Sequence, residues 1–184
     1  TVTSPLVVNA AGAWADQVAS LCGVQPIHIQ PYRRTMVQLR LNAAVPASLP
    51  LIQHVNGEFY FKGEGKSRIW LSPHDETPCD PCDAAPTEWD VALAIERFQS
   101  VVDWPIAAVE RKWAGLRSFA PDRLPVFGAD PDCPSFIWCA GQGGFGIQTA
   151  PAISALLGLE LGVTIADPAI AAVDAVPFSP QRFR

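Results

Sequence analysis

Two hydrophobic patterns divide the chain and predict two kinds of strand. The segments Val2–Val8 and Phe136–Ala140 are mainly apolar, as are strands with both faces buried in a sheet. Apolar and polar residues alternate in Ile27–Leu41, Glu58–Lys62 and Arg68–Ser72, which predicts antiparallel strands with one buried face. The predicted fold class is therefore α+β or mixed α/β, with an antiparallel sheet in the middle of the chain. The first strand is expected to lie inside a larger sheet that starts upstream.

Two further segments have the periodicity of helices. Thr87–Val101 is predicted to be a helix with Thr87 as its N-cap, since Glu88 and Asp90 suit the positive end of a helix. Its apolar positions are Trp89, Leu93, Ala94, Phe98 and Val101. A largely apolar helix is predicted to begin near Thr149. Its apolar residues are Ala152, Ile153, Leu156, Leu157, Leu159 and Leu161. Ile106–Trp113 is predicted to be one more strand.

Glycines mark two of the predicted turns. Gly63, Gly65 and Lys66 are expected to connect two strands of the antiparallel sheet. A denser cluster lies between the Phe136–Ala140 strand and the helix that follows, and it consists of Gly141, Gly143, Gly144 and Gly146. Such a cluster indicates positive φ angles or a backbone pressed close to another group. A ligand at the helix N-terminus and a tight corner packed for its own sake both remain open.

Composition narrows the functional class. The chain has 184 residues, 49% of them hydrophobic, and a net charge of −5, so it can bury a core. No run of Lys or Arg exceeds Arg33 and Arg34, which argues against a nucleic-acid partner. No apolar segment reaches the length of a membrane span, and no secretory signal is recognisable. These features predict a soluble protein in the cytoplasm.

The cysteines predict neither a disulfide scaffold nor a metal site. The chain has five, an odd number at low density. Cys79 and Cys82 form a C-x-x-C, the spacing of a redox pair or half a zinc site. Prolines and aspartates surround it, and no second pair of ligands is recognisable. We therefore predict two thiols in a loop and no metal.

The start of the chain indicates a processed product or a fragment. The chain begins with Thr1, and its only methionine is Met36.

Five motifs, in order, carry a family resemblance. They read VVNAAGAWAD, PYRRTM, WAGLRSFAPDRLPVFG, WCAGQGGFGIQTAP and PFSPQRFR. Together they resemble the C-terminal half of FAD-dependent oxidoreductases of the D-amino-acid oxidase family, which includes glycine and sarcosine oxidases and D-amino-acid dehydrogenases. The resemblance covers nearly the whole chain. What is missing is the family's N-terminal G-x-G-x-x-G, which binds the FAD pyrophosphate, and the acidic ribose ligand after it.

The resemblance implies a discontinuous cofactor domain. Residues 1–24 would be a late strand and helix of a Rossmann-like FAD-binding domain, and residues 25–109 a substrate domain with an antiparallel sheet. Residues 110–184 would return to the FAD-binding domain, with the flavin loop and a C-terminal helix.

The resemblance also implies a set of cofactor-binding residues. These are Ala10, Ala11, Gly12, Trp14, Arg34, Gly115, Gly141, Gln142, Gly143, Gly144, Phe145, Gly146, Ile147 and Gln148. The segment from Gly141 to Ile147 would lie against the isoalloxazine ring of FAD. For Ala10–Trp14, tight packing between strand and helix remains an alternative. For Arg34, the alternative is a strand arginine that lies in solvent.

Four residues are implied to contact the substrate. Arg117 matches the arginine that pairs with a substrate carboxylate, and a structural ion pair with Asp122 is the alternative. Tyr60 or Phe61, together with His74, would cover the substrate. For His74, an ordinary loop residue is the alternative.

The implied reaction is oxidation of a C–N bond. The α-hydrogen of an amino acid or N-methyl amino acid would pass to FAD as hydride, and water would hydrolyse the imine. If the protein is an enzyme, the alternative is oxidation of a C–O substrate such as a 2-hydroxy acid or glycerol 3-phosphate. If it is not, the alternative is a non-catalytic remnant or a binding module.

The expected partners are a small carboxylate-bearing amine and the missing N-terminal half. The electron acceptor and a homo-oligomeric state stay open. Without the pyrophosphate site, residues 1–184 alone are expected neither to hold FAD firmly nor to turn over.

Overall fold

The computed structural model describes residues 3–164 and 167–184, which form two compact units. The first unit comprises the chain up to Pro31 together with Arg117–Arg184, and the second comprises Tyr32–Leu116. Both boundaries lie a few residues beyond the predicted ones, at residues 24 and 109. The assignment of the segments to a cofactor domain and a substrate domain stays a prediction.

The first unit contains a three-stranded sheet in the order β1-β9-β8. Its strands are β1 (Val7–Asn9), β8 (Val126–Ala129) and β9 (Phe136–Ala140). β1 runs parallel to β9, and β8 runs antiparallel to it. The buried β9 confirms the prediction from its apolar run.

The structure corrects the extent of the first strand. Of the predicted Val2–Val8 strand, Val2 lies outside the described residues. β1 begins only at Val7, and Val7 and Val8 are 42% and 51% exposed. In the described part of the chain β1 therefore lies at the edge of its sheet, and only Asn9 is buried on it.

Helices cover this sheet. They are α1 (Ala15–Leu21), α3 (Gly146–Glu160) and α4 (Pro168–Ala171), with 3-10 turns at Gly12–Trp14, Val176–Phe178 and Pro180–Phe183. α3 begins three residues before the predicted Thr149. It buries Ile153 and Leu157 against Phe127 and Ile137. The predicted Leu161 lies just beyond its end and is 39% exposed.

A buried carboxylate ties the last residue of the chain to the first unit. Asp130 is 1% exposed. It accepts hydrogen bonds from Trp138 Nε1 at 3.0 Å and from Arg184 Nη2 at 2.5 Å. Arg184 also donates to the Gln25 carbonyl at 2.8 Å. Burial would raise the pKa of Asp130, but the hydrogen bonds from Trp138 and Arg184 outweigh it, so the pKa lies below the ordinary value.

This ion pair predicts a loss of stability in acid. Because the pKa of Asp130 is lower in the folded chain, the unfolded state binds more protons as the pH falls below about 4. The contribution of Asp130 to the free energy of unfolding is thus complete above that range and is lost on acidification. Urea unfolding between about pH 6 and about pH 2 measures it. Asp130→Asn should cost about 2 kcal/mol at neutral pH and flatten the acid decline. Asp103→Asn, at an exposed carboxylate outside this cluster, is the control, and an unchanged slope for Asp130→Asn would contradict the assignment.

The second unit is built on an antiparallel sheet, as the alternating segments predict. The strand order is β3-β4-β5-β2-β6, and β7 also pairs with β2. The strands are β2 (Gln30–Leu41), β3 (Ile52–Gln53), β4 (Tyr60–Glu64), β5 (Arg68–Ser72), β6 (Thr77–Pro78) and β7 (Ile106–Phe119). β2 and β7 both extend into the first unit. Gly63 lies within β4, paired with Ile69, so the hairpin turn is shorter than predicted.

The predicted N-cap of the second unit's helix is confirmed. Helix α2 (Glu88–Gln99) begins after Thr87, whose side chain accepts from the Asp90 N–H at 3.1 Å. Ala94 and Phe98 enter the core, whereas Trp89 and Val101 are 73% and 59% exposed. The predicted apolar face is therefore wrong at Trp89, and the helix ends before the predicted Val101.

Between residues 3 and 164 and from 167 onward, no helix is long and apolar enough to cross a membrane. Over the same ranges, His, Cys, Asp and Glu side chains do not gather in groups of three or more that would hold a metal ion.

Candidate flavin-facing turn

The glycine cluster forms a turn that only glycine can occupy at its centre. Gly141 and Gly143 have φ angles of +70° and +53°, in the left-handed region that L side chains avoid. A Cβ atom on Gly143 would lie 2.2 Å from Cε1 of Phe119. The Gly143 N–H donates to the Ser118 carbonyl at 2.9 Å. The turn is thus clamped against the end of β7.

Arg123 stacks on the ring of Phe119, the ring that Gly143 packs against. The guanidinium carbon of Arg123 lies 3.9 Å from the centroid of the Phe119 ring, within cation–π range. Arg123 has a φ of +63°, a conformation that costs a non-glycine residue free energy and persists only where its surroundings fix it. Phe119 also forms an antiparallel bridge with Gln142. Sequence reasoning missed both Phe119 and Arg123.

Arg117 reaches the same turn from β7. A Cβ atom on Gly144 would lie 3.0 Å from Arg117 Nη1 and 3.3 Å from its Cζ. The guanidinium therefore lies directly against the backbone of Gly144, and a side chain there would displace it. The structure thus brings together two predicted parts of the site that are 27 residues apart in sequence, Arg117 and Gly144.

Asp122, the alternative partner of Arg117, is bound by a different arginine. Arg182 Nε and Nη2 donate to the two oxygens of Asp122 at 2.6 and 3.2 Å. The hydrogen bond from Arg182 is the main reason that the pKa of Asp122 lies below its ordinary value. The Arg182 guanidinium also donates to the carbonyls of Leu124 and Pro125, both at 3.0 Å. The ion pair of Asp122 therefore fixes the 120–125 loop.

The N-terminus of α3 opens toward solvent at this turn. No side chain caps it, and its first turn has no acidic residue. Thr149 donates the first intrahelical hydrogen bond, to the Phe145 carbonyl at 3.0 Å, so the N–H groups of Gly146, Ile147 and Gln148 precede that bond. Phe145 and Ile147 are 54% and 97% exposed. The helix dipole therefore presents positive potential on an open surface, which suits an electron-rich ligand.

The turn has a spacing that sequence reasoning overlooked. Gly141, Gly143 and Gly146 are spaced as G-x-G-x-x-G, between strand β9 and helix α3. A dinucleotide-binding fingerprint also requires a β-strand after the helix. In the described residues after α3, only a short helix and 3-10 turns follow. The spacing therefore does not identify a dinucleotide-binding fingerprint here.

A buried asparagine shapes the other predicted cofactor segment. Asn9 is 1% exposed. Its Nδ2 donates to the Ala15 carbonyl at 2.8 Å, and its Oδ1 accepts from the Ala11 N–H at 3.3 Å. This side chain stabilises the turn from β1 into α1, where Gly12 has a φ of +58° with open space around it. Ala10 and Trp14 are exposed, so both predicted interpretations of this segment remain compatible with the structure.

Arg34 is not the solvent-exposed arginine of the alternative interpretation. It is 4% exposed, and it donates to the Asp75 carbonyl at 2.6 Å and to Glu76 Oε1 at 3.0 Å. The Asp75 carboxylate accepts from the Thr35 N–H and hydroxyl at 2.7 and 2.9 Å. The predicted role of Arg34 near the flavin stays a prediction, as does that of Gly115, which is exposed on β7.

Tyr60 and Phe61 point to opposite faces of the sheet, and only one face is open. Phe61 is 3% exposed and packs edge-on against Phe98 with centroids 5.1 Å apart. The Phe61 ring is part of the hydrophobic core, which corrects the prediction that Phe61 covers a substrate. The Tyr60 hydroxyl donates a hydrogen bond to Met36 Sδ at 3.4 Å. The centroids of the Tyr60 and His74 rings are 5.5 Å apart.

His74 has a defined proton position. Its Nδ1 forms a hydrogen bond with the carbonyl of Gly57, and a carbonyl oxygen only accepts, so Nδ1 carries a proton. Its backbone N–H donates to Ser72 Oγ at 3.1 Å, and its φ is +58°. These contacts explain the orientation of the ring whether or not it meets a substrate.

The glycine turn is thus clamped against the end of β7, and Arg117 of that strand lies against the backbone of the turn. Residues 1–158 match the family described as FAD dependent oxidoreductase, abbreviated DAO. The chain belongs to this family, which confirms the resemblance, the fold class and FAD as the cofactor.

Relatives and solved structures agree with this membership. The chain is 28% identical over 176 residues to the "FAD-dependent oxidoreductase domain-containing protein 1" of Bos taurus, covering 83% of this chain and 34% of that protein. It is 29% identical over 179 residues to the "Bifunctional protein ThiO/ThiG" of Synechocystis, covering 96% and 25%. The chain thus spans about a third or less of these relatives.

Two solved structures share its fold. Iminodiacetate oxidase from Chelativorans has a TM-score of 0.75 at 20% identity, covering 97% of this chain and 47% of that one. Glycine oxidase from Geobacillus kaustophilus has a TM-score of 0.75 at 24% identity, covering 95% and 44%.

The turn fits one edge of such a cofactor. The Gly143 position excludes a side chain, and a side chain at Gly144 would displace the Arg117 guanidinium, so the backbone itself forms the surface there. The uncapped N-terminus of α3 supplies N–H donors beside it. The individual cofactor contacts stay predictions.

Proposed function

We propose that the protein to which these residues belong oxidises the C–N bond of a small amino acid or N-methyl amino acid, with FAD as the oxidant. The observation that supports this proposal is the contact between Arg117 and the backbone of Gly144. It joins a carboxylate-binding group to a turn suited to the flavin.

Arg117 is assigned to the substrate carboxylate. A guanidinium binds a carboxylate through two parallel, charge-assisted hydrogen bonds, which fix orientation as well as position. Fixing the carboxylate limits where the adjacent α-carbon lies, and this orientation is a large part of catalysis in a reaction without an acid–base triad.

The turn and α3 are assigned to the flavin. When bound, FAD supplies a two-electron acceptor for the hydrogen on the α-carbon. The helix N-terminus stabilises negative charge next to it. The residues that would hold FAD are Ala10, Ala11, Gly12, Trp14, Arg34, Gly115, Gly141, Gln142, Gly143, Gly144, Phe145, Gly146, Ile147 and Gln148. Tyr60 and His74 remain the candidates for substrate contact in the second unit.

Anaerobic reduction of the flavin in the full-length protein tests the substrate class. The protein is mixed with D-amino acids, sarcosine, glycine, 2-hydroxy acids and glycerol 3-phosphate, and the loss of flavin absorbance is followed. We expect bleaching by amines that carry a carboxylate. Bleaching by hydroxylated compounds alone would replace the C–N assignment with C–O oxidation, and no bleaching by any of them would favour a binding module.

A further inference from the structure

We propose that Arg182 is a positioning residue for the glycine turn. It holds the 120–125 loop, and Arg123 of this loop stacks on the ring that clamps the turn. Arg182 belongs to PFSPQRFR, a motif to which the proposed function gives no role. An effect of Arg182 on the flavin rests on the proposed assignment of the turn to FAD, whereas its effect on the turn does not.

The Arg182 guanidinium binds the loop at several points. Its Nη1 donates to the Ser179 carbonyl at 2.9 Å, within its own segment. Its Nε and Nη2 donate to the Asp122 carboxylate at 2.6 and 3.2 Å. Nη2 also donates to the carbonyls of Leu124 and Pro125, both at 3.0 Å. Because a planar guanidinium presents its donors in a fixed fork, these contacts fix the carboxylate and both carbonyls relative to one another.

Arg123 lies between two residues that Arg182 binds directly, Asp122 and Leu124. Its φ of +63° is a left-handed conformation, which a non-glycine residue keeps only where its surroundings enforce it. The Arg123 N–H donates to the Ala120 carbonyl at 2.9 Å, and the Leu124 N–H donates to Asp122 Oδ1 at 3.1 Å. Without the contacts of Arg182, the backbone can relax to an ordinary conformation, and this change would move the Arg123 side chain off its ring.

The Phe119 ring connects Arg123 to the turn. The guanidinium carbon of Arg123 lies 3.9 Å from the ring centroid. The ring fills the space that a Cβ atom on Gly143 would need, and the Gly143 N–H donates to the Ser118 carbonyl at 2.9 Å. A ring that loses its stacked guanidinium has more freedom to move. The turn should then open more often and expose the Gly143 N–H to solvent.

Hydrogen–deuterium exchange of the full-length protein tests this role. Arg182→Gln removes the charge and the fork of donors. We expect exchange in residues 141–149 to become about tenfold faster, because the turn opens more often. The N–H groups of β9 (Phe136–Ala140) report opening of the sheet, and their exchange should not change. This difference separates a looser turn from a general loss of stability.

Arg184→Gln is the matched control, since it makes the same change at a neighbouring arginine. Arg184 binds Asp130 and the Gln25 carbonyl and makes none of the contacts that Arg182 makes to the 120–125 loop. Its replacement should leave exchange in the turn as in the wild type. If Arg184→Gln loosens the turn as much as Arg182→Gln does, or if Arg182→Gln speeds exchange in the loop alone, Arg182 does not position the turn.

Arg123→Asn tests the connecting contact without touching Arg182. Asparagine tolerates the left-handed conformation, so the loop should keep its shape and lose only the stacked guanidinium. Exchange in the turn should again become about tenfold faster, and the double variant with Arg182→Gln should be no faster than Arg123→Asn alone. Additive effects would contradict the proposal. Even if Arg182→Gln did not fold, an unchanged turn in Arg123→Asn would overturn it.

The bound flavin gives a separate readout. The visible absorbance and circular dichroism of FAD in the full-length protein should change in the same direction in Arg182→Gln and Arg123→Asn. They should remain those of the wild type in Arg184→Gln. Faster exchange in the turn together with an unchanged flavin spectrum would support the positioning role and contradict the assignment of the turn to FAD.

Discussion

For the proposed reaction, replacing Arg117 with leucine is expected to raise the KM of the full-length protein for a carboxylate-bearing amine about 100-fold. The change removes a charge-assisted hydrogen-bonded pair worth roughly 3 kcal/mol, and each tenfold corresponds to about 1.4 kcal/mol. Leucine keeps much of the side-chain volume near Gly144, so the turn should remain folded. Steady-state kinetics with the best substrate from the anaerobic screen measure the effect.

Two further variants make this result specific. Arg117→Lys keeps the charge but loses the planar fork, so its KM should lie between those of wild type and Arg117→Leu. Arg111→Leu removes an exposed arginine from the same strand and should leave KM unchanged. If Arg117→Leu has the KM of the wild type, Arg117 does not bind the substrate carboxylate.

Replacing Gly143 with alanine is expected to destabilise the first unit by about 3 kcal/mol. About 1 kcal/mol comes from the left-handed φ of +53°, and the rest from the Cβ placed 2.2 Å from Phe119 Cε1. Relief of the clash requires the Phe119 ring or the turn to move. Urea unfolding measures the loss, and FAD content after purification of the full-length protein should fall with it.

Gly162→Ala is the matched control for this prediction. Gly162 has a φ of +81° but nothing within 4 Å of an added Cβ. It should cost only the conformational term of about 1 kcal/mol. Equal destabilisation by the two substitutions would mean that the Phe119 contact does not clamp the turn.

Local patterns predicted the parts of the fold that depend on neighbouring residues. The alternation of apolar and polar residues located β2, β4 and β5. Thr87, which precedes Glu88 and Asp90, identified the N-cap of α2. This alternation could not show which face of β4 is buried. Tyr60 and Phe61 are both aromatic, and only the packing of Phe98 and Trp104 shows that Phe61 faces the core.

Contacts between distant segments were beyond sequence reasoning. Asp130 and Arg184 are 54 residues apart. Arg184 ends the motif PFSPQRFR, but the motif does not show that its partner is Asp130. Asn9 forms its hydrogen bonds locally, but an asparagine at a strand end has many other uses. The family motifs did indicate Arg117 and the glycine turn, and the structure added Phe119 and Arg123, whose roles depend on the three-dimensional position of β7.

The end of β7 fixes two functional parts in a single register. Arg117 and Phe119 are two residues apart, so both point to the same face of the strand, one toward Gly144 and the other toward Gly143. Insertion or deletion of one residue just before Arg117 would turn both side chains away together. The proposed substrate-binding arginine and the ring that clamps the glycine turn therefore have to be inherited, or lost, as one unit.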